Sequence, residues 1–465
     1  MSAARGIMVQ FQPMESTPIA IVGMGCRFAQ AYDIRSFWRN IIGGNSAFAP
    51  LDGGASLPIG AKTVFGTPYP SVGAQLGPLY SCRPFEQRFP RQINAGENHD
   101  LYFITQLAFD ALADAGIRPH SPDGHRGTVR LAYAPMFNPS LVNWLCHAFF
   151  VDETVEVLRR CFPGATEEHM ANIRGKLRDS LPSPNADSLL SAAGHRIADW
   201  IAREVSFSGV ATSVDGGTLS GIVALESAMD DLRSGRADIA LAGAVSPPFS
   251  RPILEGLSGK IRFSEERELY PFDRDAKGTI PGEGGAFFVL KRRADALAAH
   301  DRIYALIRST ASGTGEPPIG ECAEFAKAPL STIAMIEADG SGFSEMDARD
   351  IETIQKLWGD HRPGGALVGV GSVKGNVGHC FTAAAAASLL KVAQALHFRV
   401  LAPQVAVPHP MERISNITSS AYLLDKARPW LTGNPALPRR AVACANDYDG
   451  RRMAVLMEEE PENRR

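Results

Sequence analysis

An α/β protein of layered sheets, arranged in two consecutive halves, is what this 465-residue sequence predicts, and three observations carry the prediction. Strand-like apolar runs alternate along the whole chain with stretches of helical spacing, the pattern of sheets covered by helices. Several runs, PIAIVGM at 18–24 and DIALAGAV at 238–245 among them, are apolar at nearly every position, as strands buried on both faces are. The composition, 45% hydrophobic and 21% charged, supplies a large core and matches an ordinary globular protein.

Taken in order, residues 18–24 read as the first buried strand and Phe103–Ala115 as a helix ended by Gly116. Residues 51–80, rich in Gly and Pro, read as a long loop. From 141 to 185 the text turns helical and charged (ETVEVLRRC, EEHMANIRGKLRDSL), an insertion expected to cap the main body. Ala211–Asp215 is a short strand, Leu219–Arg233 an amphipathic helix and Asp238–Val245 a strand, which together make a βαβ unit. A second set follows, with strands near Gly285–Leu290, Ala305–Arg308, Ile333–Glu337 and Leu367–Val370 and an Ala-rich helix after His379. The halves are placed at 1–265 and 266–465, joined near residues 250–270.

Charge and composition exclude several classes. Forty-seven Lys and Arg against 50 Asp and Glu leave a net charge of -3, no field for holding a polyanion, so nucleic-acid binding is not expected. The longest apolar stretches, such as Ile19–Gly25 and Phe381–Leu390, fall short of the ~20 residues a bilayer span requires. No basic region followed by an apolar one opens the chain. A cytoplasmic protein without membrane association is expected. Cys26, Cys82, Cys146, Cys161, Cys322, Cys380 and Cys444 stand singly, with no CxxC pair, so free thiols and no metal site are expected.

Four segments could carry chemistry. Gly23-Met24-Gly25 follows a strand, but Phe28 stands where a dinucleotide-binding pattern needs its third glycine, and a tight turn is the simpler reading. VDGGTLSGIVALESA at 214–228 sets a strand, two glycines, a hydroxyl residue and a helix in succession. Such an elbow exposes Thr218 at the helix start, where free N–H groups can stabilise an oxyanion; equally, a threonine there is an ordinary N-cap. GSVKGNVGH at 371–379 offers His379 as a general base beside Lys374, though a single histidine in a turn also serves structure alone. Asp339 ends an apolar strand in a glycine-flanked turn, a common place for a turn-forming acid.

Together these segments resemble a β-ketoacyl synthase, the condensing enzyme of fatty-acid and polyketide assembly. The resemblance runs in order through PIAIVGMGCRF with Phe37-Trp38, DALADAG at 110–116, SGRADIALAGAV at 234–245, PFDRDAKGTIPGEGGAFFVLKR at 271–292, DRIYALI at 301–307 and GSVKGNVGH, from Pro18 to Glu460. AAGHRI at 192–197 and the preceding insertion look most like the polyunsaturated-fatty-acid, glycolipid and enediyne type. The resemblance implies the thiolase fold, two βα repeats forming a five-layer αβαβα sandwich, usually dimeric. It implies substrates carried as acyl thioesters on the phosphopantetheine of an acyl carrier protein, with no separate cofactor.

The family works through a cysteine and two histidines. The resemblance places the cysteine position on Thr218, the first histidine on Asp339 and the second on the retained His379, with the family lysine kept as Lys374. The two pantetheine-contacting threonines fall on Ser341 and Phe343. The C-terminal oxyanion loop reads ANDYDGRRMA at 445–454, with Tyr448 where a backbone N–H and a gating aromatic belong; Thr218 would supply the other N–H. The stretch between Ser312 and Ile333 looks too short for the helix the family places there.

These residues alter the chemistry expected. A threonine hydroxyl needs a base that a thiolate does not. An ionised Asp339 would repel a developing enolate. Decarboxylative condensation is therefore disfavoured, and three readings follow. Thr218, His379 and Asp339 could form a hydroxyl, imidazole and carboxylate triad for non-elongating acyl transfer or thioester cleavage. The chain could instead be an inactive partner, like a chain-length factor, of an active ketosynthase. In the third, His379 alone promotes a proton transfer or attack on a bound thioester. A homodimer, or a heterodimer with a ketosynthase, is expected.

Overall fold

The computed structural model describes residues 17–51, 61–80, 99–118, 124–134, 139–180, 193–359, 367–405, 407–415 and 419–461. Eleven strands of this part form one sheet. In chain order they are β1 (Ile19–Phe28), β2 (Gly127–Tyr133), β3 (Ala211–Val214), β4 (Ile239–Ser246), β5 (Gly284–Arg292), β6 (Ala305–Thr314), β7 (Ile333–Glu337), β8 (Val368–Gly371), β9 (Ala421–Leu423), β10 (Arg440–Asn446) and β11 (Arg451–Glu458). The helices used below are α1 (Ile34–Ile42), α2 (His99–Asp114), α3 (Pro139–Cys161), α4 (Glu167–Asp179), α5 (Gly194–Glu204), α6 (Ser220–Arg233), α7 (Ile319–Phe325), α8 (Ser344–Trp358) and α9 (Ala384–Phe398).

The spatial order β9-β8-β7-β10-β11-β6-β1-β5-β4-β2-β3 contains one motif twice. The first five strands of this sheet in chain order lie as third, second, fourth, fifth, first (β3-β2-β4-β5-β1). β6, β7, β8, β10 and β11 repeat that order as β8-β7-β10-β11-β6. In each repeat the middle three strands run parallel and the fifth returns antiparallel. Within the described sheet the repeats join where Ile19–Ile21 of β1 pairs with Ala305–Ile307 of β6.

Three hydrophobic layers explain the strand sequences. Along β1, Ile19, Ile21 and Met24 face a central layer, while Ala20 and Val22 face an outer one. Both faces are covered, so the strand is apolar throughout. The central layer holds α6 and α9, the outer layers α2 with α5 and α7 with α8. This is the five-layer αβαβα thiolase sandwich.

Being enclosed on all sides, α9 is buried from Ala384 to Leu396. Its small residues allow α6 to approach so closely that a Cβ on Gly221 would lie 3.3 Å from the Ala386 nitrogen. The segment Phe381–Phe398 is long and apolar enough to cross a membrane, mean hydropathy 1.2, yet 89% of it is buried inside the protein as a core helix.

Several sequence expectations are corrected. Gly23 and Gly25 lie inside β1, not in a turn after it, and their missing side chains admit α2: a Cβ at Gly25 would meet the Ala111 nitrogen and Leu107 oxygen at 2.6 Å. The strand near Gly285–Leu290, read as part of the second set, pairs with β1 and β4 and so completes the first repeat. The amphipathic helix expected at Leu219–Arg233 is present as α6, which starts at Ser220 and packs on β4, β2 and α9 with Asp230 exposed. The stretch after Ser312 does hold a helix, the seven-residue α7. The insertion contains α3 and α4, packed on each other; residues 181–185 of it lie outside the described part, as do 52–60 of the Gly- and Pro-rich loop.

Candidate functional site

Four chain segments converge where the parallel strands end, each just past a strand C-terminus. Thr218 and His379 occupy equivalent places in the two repeats, between the third strand and the central helix. Asp339 follows β7, and Asn446 ends β10.

Beyond β3 the chain turns through Gly217, whose φ of 62° suits glycine, into a single 3-10 turn at Gly217–Leu219. This turn buries Thr218 to 6% exposure. Its hydroxyl donates to the Asn446 carbonyl at 2.6 Å. Thr218 is therefore not a cap. Leu219 stands at the N-cap of α6, and it is the Ser220 hydroxyl that accepts from the Gly216 N–H, at 2.8 Å.

His379 is held by its neighbours on both sides. Its N–H donates to the Ile280 carbonyl at 2.8 Å, just before the PGEGG segment, and its carbonyl accepts from Gly282 of that segment at 3.0 Å. A Cβ on Gly282 would lie 2.1 Å from the Val377 oxygen, which explains the glycine there. The Phe381 N–H donates to Nδ1 at 3.1 Å. Phe381 achieves this in the left-handed region, at φ 42°. Since a backbone N–H can only donate, Nδ1 carries a lone pair and the proton sits on Nε2. Nε2 lies 2.8 Å from the Tyr448 hydroxyl and donates to it. Burial and the nearby Lys374 charge hold this imidazole's pKa well below 6.5, so it is neutral. Burial, reinforced by the Asp339 charge, raises the Tyr448 phenol and keeps it protonated.

Asp339 lies in a turn that only glycines fit: Gly340 and Gly342 have φ of 53° and 79°, and a Cβ on either would meet Ser372 or Leu269 within 2.5 Å. Its Oδ1 accepts from Lys374 Nζ at 2.6 Å and from the Asn446 N–H at 3.1 Å. Lys374 and Asp339 are 2% and 5% exposed. Behind them the Glu337 carboxylate, fully buried, accepts from the Val373 N–H at 2.5 Å and pairs with Lys391 at 2.7 Å, fixing the turn that carries Lys374.

The residues the resemblance places at the pantetheine contact lie in and beside the Asp339 turn. Ser341 is buried with its N–H 2.9 Å from the Asp347 carboxylate. Phe343 packs in a cluster with Phe249, Leu257, Phe381 and Tyr448. Asp347 also accepts from the Gly342 and Phe272 N–H groups, so it ties the turn together. Burial and the neighbouring Asp350 and Asp339 push Asp347 up to about 7, and burial pushes Asp350, paired with Arg452, up to about 6. Elsewhere, Asp273, Asp275 and His409 bring their ligand atoms within 4.8 Å, but the Asp273 oxygens already accept the Asp275 and His409 N–H groups.

The site thus brings together Thr218, Asp339, Lys374, His379 and Tyr448, but not as a relay. Thr218 gives its proton to Asn446, His379 gives its own to Tyr448, and Asp339 receives from Lys374 and Asn446. The expected linkage of hydroxyl, imidazole and carboxylate is absent from the hydrogen bonds among the described residues. Sequence reasoning missed Asn446, whose backbone carbonyl and N–H serve Thr218 and Asp339 while its side-chain amide lies 3.5 Å from Asp350. It also missed Asp347 and Asp350, whose spacing with Ile351 and Ile354 marks the buried face of α8.

Comparison with known proteins agrees with this architecture. The family model for the β-ketoacyl synthase N-terminal domain matches residues 16–296, and that for the C-terminal domain residues 305–407. A spectinabilin polyketide synthase system protein from Streptomyces orinoci is 26% identical over 96% of this chain. A phenolphthiocerol/phthiocerol polyketide synthase protein from Mycobacterium tuberculosis is 28% identical over 96%, and a polyunsaturated fatty acid synthase protein from Thraustochytrium is 29% identical over 66%. The chain spans 12%, 20% and 12% of these relatives' own lengths. Among solved structures, an oxazolomycin ketosynthase domain from Streptomyces albus superposes with a TM-score of 0.75 at 24% identity, covering 95% of this chain and 76% of that one. A ketosynthase of the Bacillus subtilis bacillaene synthase gives 0.73 at 21%, over 95% and 72%.

Proposed function

The chain belongs to the β-ketoacyl synthase family, and on that premise we propose that it serves polyketide- or fatty-acid-type assembly as a non-elongating member, the partner of an active ketosynthase. The observation that carries this reading is the hydrogen bond from Thr218 to the Asn446 carbonyl. A hydroxyl becomes a nucleophile when a base takes its proton; a peptide carbonyl is far too weak a base. His379 offers no lone pair at Nε2, because its proton is fixed there. Asp339, assigned to the first histidine position, receives hydrogen bonds and has none to give to a thioester carbonyl.

Acyl transfer or thioester cleavage by Thr218 and His379 is the competing reading. It would require the imidazole to lose its Phe381 contact or the Tyr448 contact to open. In either reading the substrate class is an acyl thioester on an acyl carrier protein, and β3, a half-exposed edge strand, is where a dimer partner would pair.

Co-expression with a cysteine-containing ketosynthase of the same biosynthetic system tests the proposal. A heterodimer should outcompete the homodimer, and its product lengths should change when pocket-lining residues of this chain are changed. Formation of the homodimer alone would overturn it.

A further inference from the structure

Among the described side chains of the α3 and α4 hairpin, from Phe150 onward in α3, none belongs to the site, and those of one face are exposed. On its inner side α3 buries Val151 and Val155, and Asp152 beside them holds Arg174 and Arg178 of α4 at 2.7 and 3.3 Å. At about 100° per residue, Phe150, Thr154, Val157 and Cys161 fall within about 60° of one another on a different side. Their steps of four, three and four are those of a helix seam. Phe150 is 55% and Val157 56% exposed, and Thr154 and Cys161 are exposed with them.

The charges beside this seam are arranged to complement themselves. Glu153 and Arg160 lie seven residues apart on the same flank. Glu153 has no ion-pair partner among the described residues, and Arg160, 77% exposed, reaches only Glu156 of its own helix, at 3.5 Å. Lay a second α3 antiparallel across the seam, with a two-fold axis between Glu156 and Val157. Glu153 of each copy then faces Arg160 of the other, and the apolar residues of the two seams meet. A partner with a face of one charge would attract one of these residues and repel the other. We infer that this face docks a second copy of the chain, α3 against α3, antiparallel.

The inference is independent of the chemistry proposed for the centre, and it is tested without it. The full chain carrying Thr154→Cys is treated with a short bismaleimide, and peptide pairs joining position 154 to position 154 are quantified by mass spectrometry; such pairs form only between copies. A 154–154 pair is expected at micromolar protein. Glu153→Arg or Arg160→Glu alone should lower its yield about fivefold, and the two together should restore it to within about twofold. Circular dichroism checks that these exposed changes leave the fold intact. Absence of the pair in folded protein, single reversals without effect, a double reversal that fails to restore, or capture only of a foreign protein would each overturn the inference.

Discussion

The Lys374 ammonium lies 2.6 Å from the Asp339 carboxylate, and both side chains are almost wholly buried. The pair puts a neutralised acid at the end of β7, where the family resemblance places a histidine. Each charge makes the other tolerable there, since neither has water to solvate it.

Removing one partner should therefore be costly. Lys374→Met leaves a buried carboxylate unpaired and should destabilise the protein by about 3–5 kcal/mol, while Lys374→Met with Asp339→Asn should recover most of that loss. Urea unfolding of the two variants checks this.

Acidification should act through His379. Its folded pKa is depressed below 6.5, so its contribution to stability is full above pH 6.5 and is lost as the pH falls below that value towards the folded pKa. The loss proceeds at up to about 1.4 kcal/mol per pH unit. His379→Gln has no such proton to gain, so the stability difference between wild type and variant should shrink as the pH falls from about 7.5 to about 5. Chemical denaturation across that range measures it.

Asp347 should act in the opposite sense. With its pKa raised from 3.8 to about 7, its contribution is full below pH 3.8 and is lost as the pH rises through about 7. Asp347→Asn should remove that decline. The comparison is the pH slope of unfolding free energy in wild type and variant between about pH 5 and about pH 8.

At Thr218 the hydroxyl matters structurally as well. Thr218→Val leaves the buried Asn446 carbonyl without its donor and should cost about 1–3 kcal/mol, whereas Thr218→Ser keeps the bond and should cost less. Thermal unfolding of both variants distinguishes them.

The fold was largely legible in the sequence because doubly buried strands write continuous apolar runs, as Ile19–Met24 and Ile239–Val245 do. The C-terminal hairpin of β10 and β11 was not recognised, since its apolar residues are mixed with Arg440, Arg451, Arg452 and Glu458, of which Arg440 pairs with Glu458 and Arg452 with Asp350. At the site, Thr218, Asp339, Lys374, His379 and Tyr448 were all named from the sequence and its family resemblance. Their hydrogen-bond partners were not readable. The Asn446 backbone joins Thr218 to Asp339 across the sheet, and the peptide group leaves no mark in a sequence.

Whether Thr218 is ever acylated is the most direct question. Intact-mass spectrometry of the wild-type protein, incubated with a large excess of an acyl thioester carried on an acyl carrier protein, measures it. The predicted result is an unchanged mass. A mass increase equal to the acyl group, mapped to the peptide containing Thr218 and abolished in Thr218→Ala, would contradict the non-elongating partner reading and make Thr218 a nucleophile.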